Sequence, residues 1–312
     1  MENRLHKNEL RIDRDLVERL IAAQFPQYAG MSLQQLGESG SSNLLFRLGD
    51  ELLVRLPRQP GGGSSIDKES RWLPTIRDHL PVAVPKIVGV GSPAFGFDER
   101  WSIVGWLDGD LSSACTPGTV ASRERGMLAV DLAAFILALR SVGIPEAAKA
   151  DPALRWYRGR SLAEFDRQTR HNLQQCRAIH DLDLDLDVAL AVWEGAMQAA
   201  DADRIAPDRW YHGDLVAENL LVTDHHLSAV LDFGGLAIGD PTIDLHGAWE
   251  VLDAPARVVF RDRLDVSDAD WYRGRAWALS IALGALAYYW TTMPNRVQDR
   301  LAMARSVVED FT

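Results

Sequence analysis

Three side chains between residues 211 and 240 stand at spacings that phosphoryl transfer can use. They are Asp214 in His212-Gly213-Asp214, Asn219 five residues later, and Asp232 at the head of Asp232-Phe233-Gly234. A hydroxyl is a poor nucleophile and a nucleotide phosphate chain is heavily anionic. Such a reaction therefore needs the hydroxyl positioned and the charge neutralised as the γ-phosphoryl moves. Asp214 suits the first task, orienting an acceptor hydroxyl and taking its proton. Asn219 and Asp232 suit the second, because they offer hard oxygen ligands from separate backbone segments. Mg²⁺ favours such a set, with several of its sites kept for phosphate and water. Residues 219 to 224 and 227 to 232 read as two short strands around His225-His226, a hairpin that would bring Asn219 and Asp232 to one end. His212 reads as a packing and hydrogen-bonding residue and the His225-His226 pair as a solvated turn, so no transition metal is expected.

This order of Asp, Asn and Asp-Phe-Gly is the one that protein kinases use. With His-Gly-Asp in place of His-Arg-Asp, and with Gly239-Asp240-Pro241 and Asp244-Leu245 downstream, the chain resembles the aminoglycoside phosphotransferase family of small-molecule kinases. The resemblance implies an α+β, protein-kinase-like bilobal fold with a small antiparallel-sheet N-lobe and a larger, mainly helical C-lobe. It implies ATP or GTP as donor, Mg²⁺ as cofactor, and a hydroxyl of an antibiotic of aminoglycoside, macrolide or cyclic-peptide type as acceptor. Metabolite kinases of the choline, homoserine or methylthioribose type would use the same residues, and a catalytically silent kinase-like binding module is the alternative outside enzymes. A protein kinase fits less well, since neither His-Arg-Asp nor Ala-Pro-Glu occurs. In the resembling family Asp240 and Asp244 would brace the catalytic loop.

The elements that must position these residues follow along the chain. Asp13 to Phe25 reads as a helix with Asp13 as N-cap, and residues 31 to 37 and 43 to 58 as strands, the latter two joined at Gly49-Asp50. By resemblance, the Gly37 to Ser42 stretch covers the nucleotide phosphates, with Gly40, Ser41 and Ser42 as contacts; an ordinary hairpin turn explains it equally well. Arg55 takes the place of the usual strand Lys that grips phosphates, and Glu69, on an amphipathic helix fourteen residues on, would pair with it. A solvated strand Arg with a surface ion pair is the competing reading. Gly105, Trp106 and Leu107, in the connector between lobes, would meet the nucleotide base, against a bland core strand filled by Trp106. The lobe boundary is expected after 106, giving 1 to 106 as the nucleotide-binding lobe and 107 to 312 as the catalytic lobe.

The run Gly61 to Ser65 lacks the ending of a phosphate-binding P-loop and reads as a flexible linker. Residues 120 to 142, 160 to 180 and 188 to 203 read as helices. Between the last two lie Asp181, Asp183, Asp185 and Asp187, read as a solvated acidic turn with Asp187 capping the next helix rather than as a cation trap. The uncharged stretch 276 to 293 reads as a core helix, with no membrane partner. The formal charge of −11 argues against nucleic acid and tilts the expected small-molecule substrate toward a cation. Two widely spaced cysteines, Cys115 and Cys176, and an amino terminus without an apolar stretch point to the cytoplasm. Nothing in the sequence sets ATP against GTP, or an oligomeric state.

Overall fold

The computed structural model describes residue 6 and residues 8–37, 42–114, 122–155, 157–198 and 207–311. Contacts divide the chain into two units. The first comprises Met1–Asp78, Ala83–Asp108 and Leu231–Gly234, and the second His79–Val82, Gly109–Val230 and Gly235–Thr312.

In the first unit, helix α1 (Arg14–Gln24) begins where the Asp13 carboxylate accepts from the Leu16 N–H at 2.8 Å. It lays Leu16, Val17, Leu20 and Ile21 on a five-stranded antiparallel sheet. The strands are β1 (Leu33–Gln35), β2 (Asn43–Leu48) and β3 (Leu52–Pro57), then β4 (Ile87–Gly91) and β5 (Trp101–Gly105) beyond helix α2 (Gly63–Arg77), in the order β1-β2-β3-β5-β4. Burial alternates residue by residue along β2, with Leu44, Phe46 and Leu48 facing the core. The central strand β3 buries Val54, Arg55, Leu56 and Pro57 in succession, so Arg55 sits where both faces of the sheet are covered.

The glycine run is not a linker. Gly61 and Gly63 donate their N–H groups to the two carboxylate oxygens of Glu99, at 2.7 and 2.9 Å, and α2 starts at Gly63. An acid 36 residues away supplies the anion that the first turn of this helix itself lacks, a partner that local sequence cannot reveal.

The second unit is mostly helical. A short strand β6 (Asp110–Leu111) precedes α3 (Ser122–Ser141), α4 (Glu146–Lys149), α5 (Asp166–Arg177) and α6 (Leu186–Gln198). Strand β7 (Arg209–Tyr211) leads to the hairpin of β8 (Leu220–Thr223) and β9 (His226–Val230), followed by β10 (Ala237–Gly239). The chain finishes with α7 (Ala248–Val251), α8 (Ala254–Leu264), α9 (Asp268–Tyr289) and α10 (Pro294–Glu309). The stretch around 276 to 293 belongs mostly to α9, whose Trp277, Leu279, Ala282, Leu283 and Leu286 are buried between α5, α6 and α10. Among the described residues no helix is long and apolar enough to cross a membrane.

The acidic tract has structural partners. Asp185, not Asp187, caps α6 by accepting from the Asp187 and Val188 N–H groups, both at 3.0 Å. Asp187 pairs with Arg177 and Asp183 with Arg305. The α7 carboxylate of Glu250 is fully buried and bonds the Arg300 guanidinium of α10. Burial is the main influence and pushes this carboxyl up from 4.5 to about 7, opposed by Arg300 and helped by Glu218 and Asp299.

Two stability measurements follow from these contacts. Replacing Glu99 with Ala should cost the first unit about 1 kcal/mol, read as a lowered urea midpoint, because two amides at the start of α2 lose their acceptor. For Glu250 the unfolded chain loses its proton near 4.5 while the folded chain keeps it to about 7, so this group's contribution erodes stability as pH rises through that window and is level above it. Urea midpoints of Glu250→Gln should therefore compare worse with wild type at about pH 5 than at about pH 7.5. A difference independent of pH would contradict the raised carboxyl.

Candidate active site

His212-Gly213-Asp214 follows directly on β7, which pairs antiparallel with β10 through Tyr211 and Ala237. Asp240 accepts from the Thr242 N–H at 2.9 Å and starts a 3₁₀ turn, Pro241–Leu245, that carries Asp244. Asp244 is completely buried and accepts from the N–H groups of His212 at 2.9 Å and Gly213 at 2.7 Å. Burial pushes its carboxyl upward, with His212 and the two amides working the other way. Two successive amides can reach one carboxylate because the chain turns at Gly213, whose φ of 82° suits only glycine comfortably. His212 Nδ1 in turn accepts from the Asp214 N–H at 3.2 Å, the hydrogen-bonding part expected of it.

Asp214 is held at both carboxylate oxygens. Arg158, in a 3₁₀ turn at Tyr157–Gly159, donates Nη1 to Asp214 Oδ1 and to the Gly213 carbonyl, both at 2.7 Å. The Asn219 amide nitrogen donates to Asp214 Oδ2 at 3.2 Å and to the Asp214 carbonyl at 2.9 Å. Burial alone would raise the Asp214 carboxyl, but Arg158 foremost, then His246 and Arg300, hold it well below the usual carboxylate range. The Asn219 nitrogen is committed to Asp214, and Oδ1 is the hard oxygen of this amide that a cation could use.

Asn219 ends the 3₁₀ turn Ala217–Asn219 rather than opening a strand. Leu220 pairs with Val230 at the open end of the hairpin, so Asn219 stands one residue before the ladder and Asp232 two residues after it. Asp224 and His225 close the hairpin at φ 50° and 68°, the two-residue turn whose twist matches antiparallel strands. His226 is not simply solvated: its Nδ1 meets Asp131 of α3 at 2.8 Å, while His225 lies 3.4 Å from Glu124. Glu218 pairs with Arg296 and Arg300 of α10.

Within the first unit, Arg55 Nη1 donates to both oxygens of Glu69 at 2.8 Å, and Nη2 reaches Asp232 Oδ1 at 3.3 Å. Both members of the Arg55–Glu69 pair are buried, so the solvated reading of Arg55 fails. Burial opposes the guanidinium charge, but Glu69 and Asp232 outweigh it and Arg55 stays cationic. Asp232 has φ of 53°, a left-handed conformation that costs free energy in a non-glycine residue and is concentrated at functional sites. Its Oδ1 also accepts from the Gly234 N–H at 3.3 Å.

Gly40 and Ser41 lie outside the described residues. Ser42 is exposed, and its carbonyl accepts from the Arg58 N–H at 2.9 Å. Gly105 ends β5, and Trp106 donates its backbone N–H to the Glu51 carbonyl at 2.7 Å. The Trp106 ring lies under the Arg47 guanidinium, 3.5 Å from its centroid, and its indole N–H donates to Asp108. Trp106 and Leu107 are half-buried. Sequence reasoning missed Arg158, which stands 56 residues before its partner at no fixed spacing from the motif. It also missed the Arg296–Arg300–Glu250 cluster beside Glu218.

The geometry on both units has counterparts among known proteins. The sequence pattern of the phosphotransferase enzyme family matches residues 33–277. No curated protein matches the chain. The fold is similar to that of aminoglycoside 2'-phosphotransferase-IIIa in complex with GDP, at 18% identity over 96% of this chain and 98% of that one, with a TM-score of 0.70. It is similar to APH(2")-IIa in its ternary complex with streptomycin and ATP, at 17% identity over 89% and 91%, TM-score 0.62. It is also similar to the macrolide 2'-phosphotransferase MphH from Brachybacterium faecium, at 21% identity over 93% and 97%, TM-score 0.61. At these identities the likeness is one of fold, a small sheet-bearing unit followed by a mainly helical one. The family pattern, by contrast, spans most of the sequence, and the chain belongs to the phosphotransferase enzyme family.

Proposed function

We propose that the protein transfers the γ-phosphoryl of ATP or GTP to a hydroxyl of an antibiotic of aminoglycoside or macrolide type. Residues 1 to 106 serve the nucleotide and residues 107 to 312 the chemistry and the acceptor. The observation that carries the reading is Asp214, a carboxylate held at both oxygens on a loop whose His212, Gly213 and Asp214 amides are hydrogen-bonded, as suits a group that aims at a hydroxyl. Asp214 orients the acceptor hydroxyl and receives its proton. Arg55, kept cationic and braced by Glu69, faces phosphate oxygens, and its planar fork replaces the point charge of a lysine. Gly105, Trp106 and Leu107 meet the base through their backbone, and Ser42 meets the phosphates.

Asn219 through Oδ1 and Asp232 through its carboxylate fit Mg²⁺, being hard oxygens and few enough to leave positions for phosphate. When bound, Mg²⁺ neutralises charge on the transferring phosphoryl group. Solved relatives in fold support the donor and acceptor classes: one carries GDP, another ATP with streptomycin, and a third acts on macrolides. A nucleotide-dependent reaction and a buried free thiol at Cys176 fit the cytoplasm as its compartment.

The test is nucleotide consumption with Mg²⁺ across aminoglycosides, macrolides and cyclic-peptide antibiotics, set beside choline, homoserine and methylthioribose. An antibiotic should turn over fastest, and Asp214→Ala should lower that rate by at least about 10³-fold while nucleotide still binds. A metabolite consumed far faster than any antibiotic would move the acceptor into metabolism. Nucleotide binding without turnover of any acceptor would leave a binding module.

A further inference from the structure

Arg158 reaches the catalytic loop from a part of the chain that no motif marks, and its surroundings are built to deliver it there. A Cβ on Gly159 would stand 2.5 Å from the Tyr211 ring, and a Cβ on Gly239 would stand 2.7 Å from the Gly159 carbonyl oxygen. Neither position tolerates a side chain, so the Tyr157–Gly159 turn presses directly on the β7–β10 ladder. It is fastened there by the Asp240 N–H, which donates to the Gly159 carbonyl at 3.1 Å. From this seat the guanidinium spans the Gly213 carbonyl and Asp214 Oδ1, both at 2.7 Å, with only 17% of its side chain exposed.

We propose that Arg158 is a positioning residue for phosphoryl transfer, fixing the rotation of the Asp214 carboxylate so that its remaining lone pairs face the acceptor hydroxyl. Asn219 holds the other oxygen, at 3.2 Å, so turning the carboxylate about its Cβ–Cγ bond breaks one contact or both. A carboxylate clamped on one side only would sample other angles, and misplacement by an ångström is enough to cost about 10²-fold in rate. The role rests on Asp214 being the residue that meets the hydroxyl.

The experiment uses the full chain, Mg²⁺, ATP or GTP, and the best acceptor found in the panel. Arg158→Ala should lower kcat for transfer by about 30- to 100-fold while the Kd for nucleotide and the KM for acceptor move less than about threefold. A larger share of the nucleotide should then go to water instead of the acceptor, because water needs less exact aiming. Arg158→Lys should recover part of kcat with one donor in place, and added methylguanidine should restore part of the activity of Arg158→Ala. Rescue by a small guanidine separates positioning from folding, since it repairs a missing donor and not a collapsed loop. The proposal is overturned if Arg158→Ala keeps wild-type kcat and coupling, or if kcat, nucleotide binding and thermal stability fall together without rescue. Loss of turnover in Asp214→Ala alongside normal Arg158→Ala would spare the phosphotransfer reading and remove only this one. A wild-type enzyme silent on the whole panel would sink that reading and the positioning role with it.

Discussion

A single buried carboxylate sets the geometry on which the catalytic loop depends. Asp244 has no access to solvent, and among the described residues the hydrogen bonds it accepts come from the two amides of His212 and Gly213, with His212 and Arg140 acting on it electrostatically. Burial of a carboxylate is costly unless hydrogen bonds replace the lost water, so these two bonds are obligatory and not incidental. Their consequence is directional. With the amides of His212 and Gly213 given to Asp244 and the Asp214 amide to the His212 ring, three consecutive N–H groups are assigned and the backbone that carries Asp214 is fixed. The 3₁₀ turn that delivers Asp244 is itself capped by Asp240, so one acid places another and the second places the loop.

The first unit solves a different electrostatic problem. Arg55 lies on the central strand of its sheet, where an unpaired charge could not remain. Glu69 takes it in a forked contact and Asp232 touches its far side, so one guanidinium faces two carboxylates and the trio keeps a single negative charge. That surplus sits on Asp232, the more exposed of the two acids, in a backbone conformation held against its own preference. A trio of this kind is balanced by one more cation at Asp232 and offers Arg55 to an anion at the same time. On the proposed function, a nucleotide with its Mg²⁺ would meet both needs.

Much of this was legible in the sequence because the chemistry lies in short motifs with fixed internal spacing. Asp214, Asn219 and Asp232 were visible by type and interval, and Arg55 and Glu69 by their places on a strand and an amphipathic helix, which the sheet and α2 bring together at 2.8 Å. Alternation in β2 and the capping Asp13 marked the elements that carry them. What stayed hidden depends on partners distant in sequence. The glycines at 61 to 63 look like a linker until Glu99 caps them, while the acids of 181 to 187 are exposed as read, with the cap of α6 falling on Asp185 rather than Asp187. Arg158 is the clearest case, since an Arg in a polar loop carries no local sign that it will meet a carboxylate 56 residues on.

The way Asp214 is held also bears on what kind of base it can be. Against burial, Arg158 foremost, then His246 and Arg300, keep it ionised and well below the ordinary carboxylate range, so at neutral pH it has little thermodynamic pull on a proton. In a reaction that had to form an alkoxide before bond breaking, such a residue would be badly tuned. Phosphoryl transfer places the opposite demand in a loose transition state: the bond to the leaving group is largely broken before the nucleophile commits, and the hydroxyl proton leaves late. There, aim counts for more than basicity. On the proposed role, the contacts that would weaken Asp214 as a base are the same ones that fix its direction, so that proton affinity would be given up for orientation.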